Sequence, residues 1–389
     1  MKRIISTGLP ILVILTLLAL WLLPPEIERR HNLVDEHEPY PVSDIAADLH
    51  KKLLVADLHT DSLLWSRDLR KESTIGHADL PRLREGNVAI QIFPAVTKSP
   101  AGQNYESNAT EARDNITLLA VAQAWPTRTW MSLSERALYQ SEKLHKLQEQ
   151  VPEEVRVVRT SGDLQEVLGK RAQGSQQLAA ILATEGSHAL DGKLANIQKL
   201  YDAGYRMMGL QHFFDNKLGG SLHGTSNAGL SDFGRAAVNL MEEKSIIVDV
   251  AHSSPQVVLD TLAAASRPVV LSHTGFNGLC ESPRNISDDL MKQIAAADGL
   301  IGVGFWEDAI CDHTPAGIAK MIKYGISVVG EDHVALGTDF DGSVRTGIDV
   351  SELPALTDAL VAEGLSEREI RKVMGENLRD FLIKWLPKS

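Results

Sequence analysis

Eight short, nearly continuous apolar runs recur along the body of the chain. They are Leu53–Asp61 (LLVADLHTD), Asn87–Val96 (NVAIQIFPAV), Leu178–Gly186 (LAAILATEG), Arg206–Phe213 (RMMGLQHF), Ser245–His252 (SIIVDVAH), Pro268–His273 (PVVLSH), Leu300–Trp306 (LIGVGFW) and His333–Gly342 (HVALGTDFDG). Short apolar runs without strict alternation mark strands buried on both faces of a parallel sheet. Helical patterns lie between them. Asp232–Lys244 starts with an acid and ends with a base, which suits the helix dipole. Ser287–Ala297 and Ser366–Trp385 have similar caps and periodicity. The interval Thr97–Gln177 holds two amphipathic stretches, Glu111–Ala124 and Ser134–Gln150, and the segment Val155–Val167. Eight strand–helix units predict an α/β fold of the (β/α)8 TIM-barrel type. The competing architecture is an open doubly wound sheet, but no glycine-rich phosphate fingerprint follows the first strand.

The start of the chain follows a different pattern. Lys2 and Arg3 precede a charge-free run, Ile4–Leu23, that ends at Pro24-Pro25. Its length of about 20 residues spans a bilayer as a helix. Residues 1–25 are therefore expected to form an N-terminal transmembrane anchor. A cleaved signal segment is the first alternative and a buried core helix the second; no small-x-small cleavage pattern follows the run. A lipoprotein anchor is excluded because the only cysteines are Cys280 and Cys311. The basic start places the N-terminus inside and exports the body, giving a single-pass, membrane-anchored protein whose main domain faces the periplasmic or extracellular side. Arg29 and Arg30 weaken that orientation. Residues 26–43, polar and proline-containing, read as a tether, and residues 44–389 as a single domain.

Composition narrows the function. The 389 residues are 43% hydrophobic and 23% charged, an ordinary globular balance. A net charge of −12 argues against nucleic acid as a partner, since phosphate binding needs a basic footprint. Two cysteines exclude a disulfide scaffold and a cysteine-rich zinc module, so a metal site must use His, Asp and Glu. The sequence does not decide whether Cys280 and Cys311 pair.

Catalysis in a barrel belongs to the C-terminal ends of the strands. Here those ends carry His59-x-Asp61, Glu185, His212, His252, His273 and Asp339. Residues two apart on a strand point the same way, so His59 and Asp61 can reach one metal. Imidazoles with carboxylates suit Zn²⁺, and a carboxylate such as Glu185 can bridge two metals. Each residue alone has a plainer explanation, a hydrogen-bonded core histidine or an aspartate cap. Their joint placement after apolar runs is what points to a site. His188, His223, His313, His31 and His37 lack that placement and are read as structural. Serine or cysteine nucleophiles are disfavoured: there is no G-x-S-x-G elbow, Cys280 has no obvious paired base, and Ser272 and His273, as strand neighbours, point to opposite faces.

With these pieces in order (ADLHTD, HADLPRLREGNVAIQIF, ATEGSHAL, GLQHF, GLSDFG, VDVAHSS, LSHTG, SPRNISDD and GTDFDG), the chain resembles the membrane (renal-type) dipeptidases over about residues 44–386. The resemblance implies a zinc metallopeptidase with a barrel fold. It implies that His59, Asp61 and Glu185 hold one Zn²⁺ and that Glu185, His252 and His273 hold the second, Glu185 bridging. His212 becomes a non-ligand imidazole facing substrate, Arg284 the group that binds the terminal carboxylate, and Asp339 the acid/base carboxylate. The family's substrate-contacting tyrosine aligns with Trp306, or Phe305 if the alignment shifts by one. The family's disulfides cannot be reproduced by two cysteines, and its C-terminal lipid anchor has no counterpart in WLPKS.

The expected activity is zinc-dependent hydrolysis of small dipeptides by a metal-bridging hydroxide. Two alternatives are a binuclear amidohydrolase acting on another amide, an ester or a lactone, and a non-catalytic, membrane-tethered binding protein. The oligomeric state is left open, a homodimer among the options.

Overall fold

The computed structural model describes residues 23–388. Eight parallel strands close a barrel: β1 (Val55–Asp57), β2 (Val88–Val96), β3 (Leu178–Glu185), β4 (Tyr205–Gly209), β5 (Ile247–Asp249), β6 (Val270–Thr274), β7 (Leu300–Val303) and β8 (Val334–Leu336). The order around the ring is β2–β1–β8–β7–β6–β5–β4–β3, and β3 pairs back onto β2. Each strand corresponds to one of the eight apolar runs. Small and branched side chains, Ala56, Ile90, Ile181, Val270 and Ala335 among them, fill the barrel together with the unbranched Met207. A larger apolar layer lies between the strands and the surrounding helices. This two-sided burial explains why the runs are continuous and not alternating.

Two helical expectations change in detail. The interval between β2 and β3 contains helices Asn115–Ala122 and Leu133–Gln150, but Val155–Val167 divides into a strand, Val155–Val157, and the start of helix Ser161–Arg171. That strand pairs with β3 outside the closed ring. The C-terminal stretch is not one helix: Glu367–Arg371 and Asn377–Trp385 flank a π-turn, Lys372–Glu376. The break falls at Gly375, whose backbone is non-helical, and a Cβ there would sit 2.0 Å from the carbonyl oxygen of Leu54, the residue before β1. The helix presses directly on backbone at that point.

The apolar run Ile4–Leu23 lies outside the described residues except for Leu23. Among the described residues no helix is long and apolar enough to cross a membrane. The segment read as a tether packs against the body. Residues 23–31 are helical, and Leu33–Val34 pairs in parallel with Arg345–Thr346. Glu28 is buried against Arg67 at 2.8 Å, and Ile27 packs on the cluster of Leu64, Trp65, Ile116 and Trp125. Cys280 and Cys311 form a disulfide that joins the loop after β6 to the loop after β7.

Candidate metal centre and active site

The barrel brings the strand-end residues to one mouth. His59 and Asp61 follow β1, and Glu185 ends β3. His212 and His252 follow β4 and β5, His273 lies in β6, and Asp339 follows β8. All are buried. His59 Nε2 lies 3.6 Å from Asp61 Oδ1, 3.5 Å from Glu185 Oε1 and 3.7 Å from Asp339 Oδ1. Glu185 Oε1 lies 3.1 Å from His252 Nε2 and 3.6 Å from His273 Nε2, and those two nitrogens are 2.9 Å apart. His212 Nε2 reaches the same oxygen at 3.5 Å. Proximity alone therefore does not separate His212 from the ligands.

The donor set fits a divalent cation. Bonds of about 2.0–2.1 Å in a tetrahedron imply ligand atoms about 3.4 Å apart. The separations within His59–Asp61–Glu185, 3.5 and 3.6 Å, lie just above that figure, and those within Glu185–His252–His273, 2.9 to 3.6 Å, bracket it. Three overlapping groups, His59–Asp61–Glu185, Glu185–His212–His252 and His59–His273–Asp339, have ligand atoms within 4.8 Å of one another. His59 Nε2 and Asp61 Oδ1 are buried without any hydrogen-bond partner in the protein. Two such atoms facing one point are costly unless a cation satisfies them.

Charge is poorly balanced without one. Burial pulls the His59 imidazole down, but the Asp61, Glu185 and Asp339 carboxylates outweigh it and hold the group at about 10. Burial, with Glu185 adding to it, raises Asp61 to about 7. Burial also lifts the Asp339 carboxyl well above the usual range against the pull of His59. His252 and His273 are pushed well below the imidazole range, first by burial and then by neighbouring cations.

A second layer of residues, which the sequence pattern did not single out, orients the first. Asp57 accepts from Gln91 Nε2 (2.6 Å) and from the backbone N–H of Thr338 (2.9 Å), tying β1 to β2 and to the residues after β8. Asp249 accepts from the backbone N–H groups of Ala251 and Ser272, tying β5 to β6. Ser272 does not face away from His273. The pairing register of β6 shifts between Leu271 and Thr274, and Ser272 Oγ lies 2.8 Å from His273 Nδ1, which leaves Nε2 for the cluster. His212 Nδ1 donates to the Lys98 carbonyl at 2.9 Å.

Arg284 comes from the loop after β6. It is 2% exposed, donates from Nη2 to the His273 carbonyl at 2.9 Å, and has no carboxylate within ion-pairing distance among the described residues. Burial pulls its pKa below the ordinary arginine value. Its guanidinium carbon lies 5.3 Å from the centre of the Trp306 ring. Trp306 is buried, its Nε1 is unpartnered, and its ring lies 6.0 Å from that of His273. Phe305 packs edge-on against Phe340 in the core. Two wall residues were not expected. Tyr105, from the long loop after β2, packs on Phe213 and feels the charges of Arg284 and Asp339. His223, read as structural, stacks on Phe213 and faces His252 with ring centres 5.4 Å apart. Nothing in their local sequence marks either one, because both sit in polar loops.

The loop after β8 is unusual. Asp339, Asp341 and Ser343 all have left-handed φ, at 60°, 64° and 62°. Side chains other than glycine enter that region at roughly 1–2 kcal/mol each, aspartate more easily than most. The loop is fastened through Asp341, which accepts from Ser62, Arg67 and the His77 backbone N–H and whose own N–H donates to His77 Nδ1 at 2.9 Å.

A closed parallel barrel with imidazoles and carboxylates converging at the C-terminal ends of its strands defines a barrel metallohydrolase. The sequence matches the membrane dipeptidase family, peptidase family M19, over residues 43–381, and the chain belongs to that family. It is 24% identical over 378 residues to the dipeptidase ataJ of Aspergillus terreus, covering 90% of this chain and 83% of that one. It is 27% identical over 370 residues to an uncharacterized dipeptidase of Schizosaccharomyces pombe, covering 91% and 80%. The structure of dipeptidase AC, a metallo peptidase of family M19, superposes with a TM-score of 0.70 at 25% identity, covering 87% of this chain and 99% of that one.

Proposed function

We infer that this metal-dependent dipeptidase uses two zinc ions, one held by His59, Asp61 and Glu185 and the other by Glu185, His252 and His273. The observation that carries the dipeptide reading over a lactone, ester or other amide is Arg284. A buried guanidinium with no carboxylate partner among the described residues, beside the cluster, matches a free α-carboxylate.

When bound, the ions supply a water of lowered pKa and Lewis-acid polarisation of the scissile carbonyl. The chain supplies the rest. Arg284 fixes the C-terminal carboxylate, with the Trp306 ring against its guanidinium. The peptide carbonyl then lies toward His212. The Nδ1 of His212 donates to the Lys98 carbonyl, which turns Nε2 toward the cluster, 3.5 Å from Glu185 Oε1; donation from Nε2 to substrate requires a proton on both ring nitrogens. One such donor to a developing oxyanion contributes about 3 kcal/mol. Asp339 takes the proton of the attacking water and hands it to the leaving amine. Its burial raises its pKa, which favours the protonated form it takes between the two transfers. We also place the body outside the cytoplasm, anchored through Ile4–Leu23; the Cys280–Cys311 disulfide supports an oxidising compartment.

The test is hydrolysis of a dipeptide panel, with L and D residues at the C-terminal position, by zinc-loaded protein with chelator controls. Chelator-sensitive cleavage is expected. Asp339→Asn should lower kcat by about 10²–10⁴ at unchanged metal content. Survival of turnover would remove Asp339 from the proton transfer, and folded, zinc-loaded protein inert toward every dipeptide would move the assignment to another amide, an ester or a lactone.

A further inference from the structure

The N-terminal segment Glu28–Asp35 lies outside the residues that match the family, yet it is bonded to the loop that carries Asp339. Asn32 Oδ1 accepts from the Ser343 backbone N–H at 2.8 Å. The Leu33 N–H donates to the Val344 carbonyl and the Asp35 N–H to the Thr346 carbonyl, at 3.2 and 2.9 Å. The Leu33 carbonyl accepts from His77 Nε2 at 3.1 Å. Glu28 pairs with Arg67, which in turn pairs with Asp341.

One of these contacts falls on Ser343, the last of the three residues with left-handed φ; Asp341 is reached through Arg67, and the Leu33 and Asp35 N–H bonds hold Val344 and Thr346, which follow directly. Such a conformation persists where its surroundings over-determine it. On one side the body supplies Ser62, Arg67 and His77. The other side is supplied by this segment. The loop is coupled onward to the site. The Phe340 carbonyl accepts from the Asp61 N–H at 2.8 Å, and Thr346 forms an antiparallel bridge with Trp306. A shift of the loop would move Asp339, the backbone of a metal-binding residue and the wall behind Arg284 together.

We propose that Glu28–Asp35 is a strap that positions Asp339, with Asn32 and Leu33 as positioning residues. The inference rests on the dipeptidase reading. The segment that links the body to Ile4–Leu23 is then a working part of the active site, not a spacer.

The experiment uses full-length, zinc-loaded protein carrying Asn32→Ala, Leu33→Pro or Asn32→Asp. Asn32→Ala removes the acceptor for Ser343, Leu33→Pro removes the donor to Val344, and Asn32→Asp keeps an acceptor. Readouts are kcat and KM on a cleaved dipeptide, metal content, and amide hydrogen exchange across residues 339–346. The expected result is a kcat loss of about 5- to 100-fold for Asn32→Ala and Leu33→Pro, with KM within about twofold and full metal content. Exchange in the loop should rise at least about tenfold, and Asn32→Asp should restore both. If exchange rises while kcat holds, the loop does not need the strap for turnover and the proposal is overturned. If kcat falls without faster exchange, the effect does not pass through the loop, and it is overturned again. Should Leu33→Pro fail to fold, the Asn32 pair decides. A parent protein that cleaves no dipeptide overturns the dipeptidase reading and the catalytic role with it, while the exchange arm still reads the strap itself.

Discussion

Replacing Arg284 with Met keeps most of the side-chain volume and removes the charge. In the wild-type protein the guanidinium is 2% exposed and spends one donor on the His273 carbonyl. Two parallel bonds to a substrate carboxylate, each charge-assisted, contribute about 1.5–3 kcal/mol apiece, or roughly 3–6 kcal/mol together. At 1.4 kcal/mol per decade, kcat/KM should fall by about 10²–10⁴, mostly through KM. Stability should move the other way. A buried charge without a carboxylate partner is a cost to the free protein, and replacing buried ionic groups with apolar ones is often neutral or stabilising by about 1–4 kcal/mol. Tm should therefore hold or rise, offset only by the bond to His273. The assay pairs a dipeptide with its C-terminal carboxamide. Wild type should prefer the acid by about 10²–10⁴, and Arg284→Met should show a ratio near one. A variant that still prefers the acid by the wild-type factor would refute the carboxylate assignment. A large drop in Tm would refute the view that this arginine is held at a cost for function.

Two further predictions concern the scaffold. Cys280→Ser with Cys311→Ser opens a loop with a sequence separation of 31, and the chain-entropy relation puts the loss at about 3.7 kcal/mol; urea unfolding should show it, with the same shift on reducing the wild type. Lys143 is held at about 7 by burial, against an ordinary 10.5. Between those values the unfolded chain binds a proton that the folded chain does not. Stability should therefore rise with pH from about 7 to about 10.5, by up to about 1.4 kcal/mol per pH unit, and stay level with respect to this group below 7. Glu28, raised by burial to about 7, acts with the opposite sign between 4.5 and 7. Unfolding midpoints from pH 6 to 10 should show the alkaline rise in wild type and not in Lys143→Met.

The apolar runs sufficed to place all eight barrel strands because two-sided burial is written locally, in continuous Val, Ile, Leu and Ala. The residues that end those runs were legible for the same reason: His252 or Asp339 after an apolar stretch has no solvent-facing explanation. Non-local information was not legible. Ser272 reaches His273 Nδ1 at 2.8 Å in a stretch where β6 slips register against its neighbour, and strict alternation along a strand does not foresee that contact. The break at Gly375 depends on a backbone more than 300 residues earlier in the chain. Tyr105 reaches the site from a loop whose polar composition is that of any surface loop. Residues 26–43 are the sharpest case. A polar segment that satisfies its backbone groups on another polar loop has the same composition as one that satisfies them on water. The difference lies in the partner, Ser343 to Thr346, which is some 310 residues away along the chain. Polarity there marks only that hydrogen bonds are needed, and the fold decides who makes them.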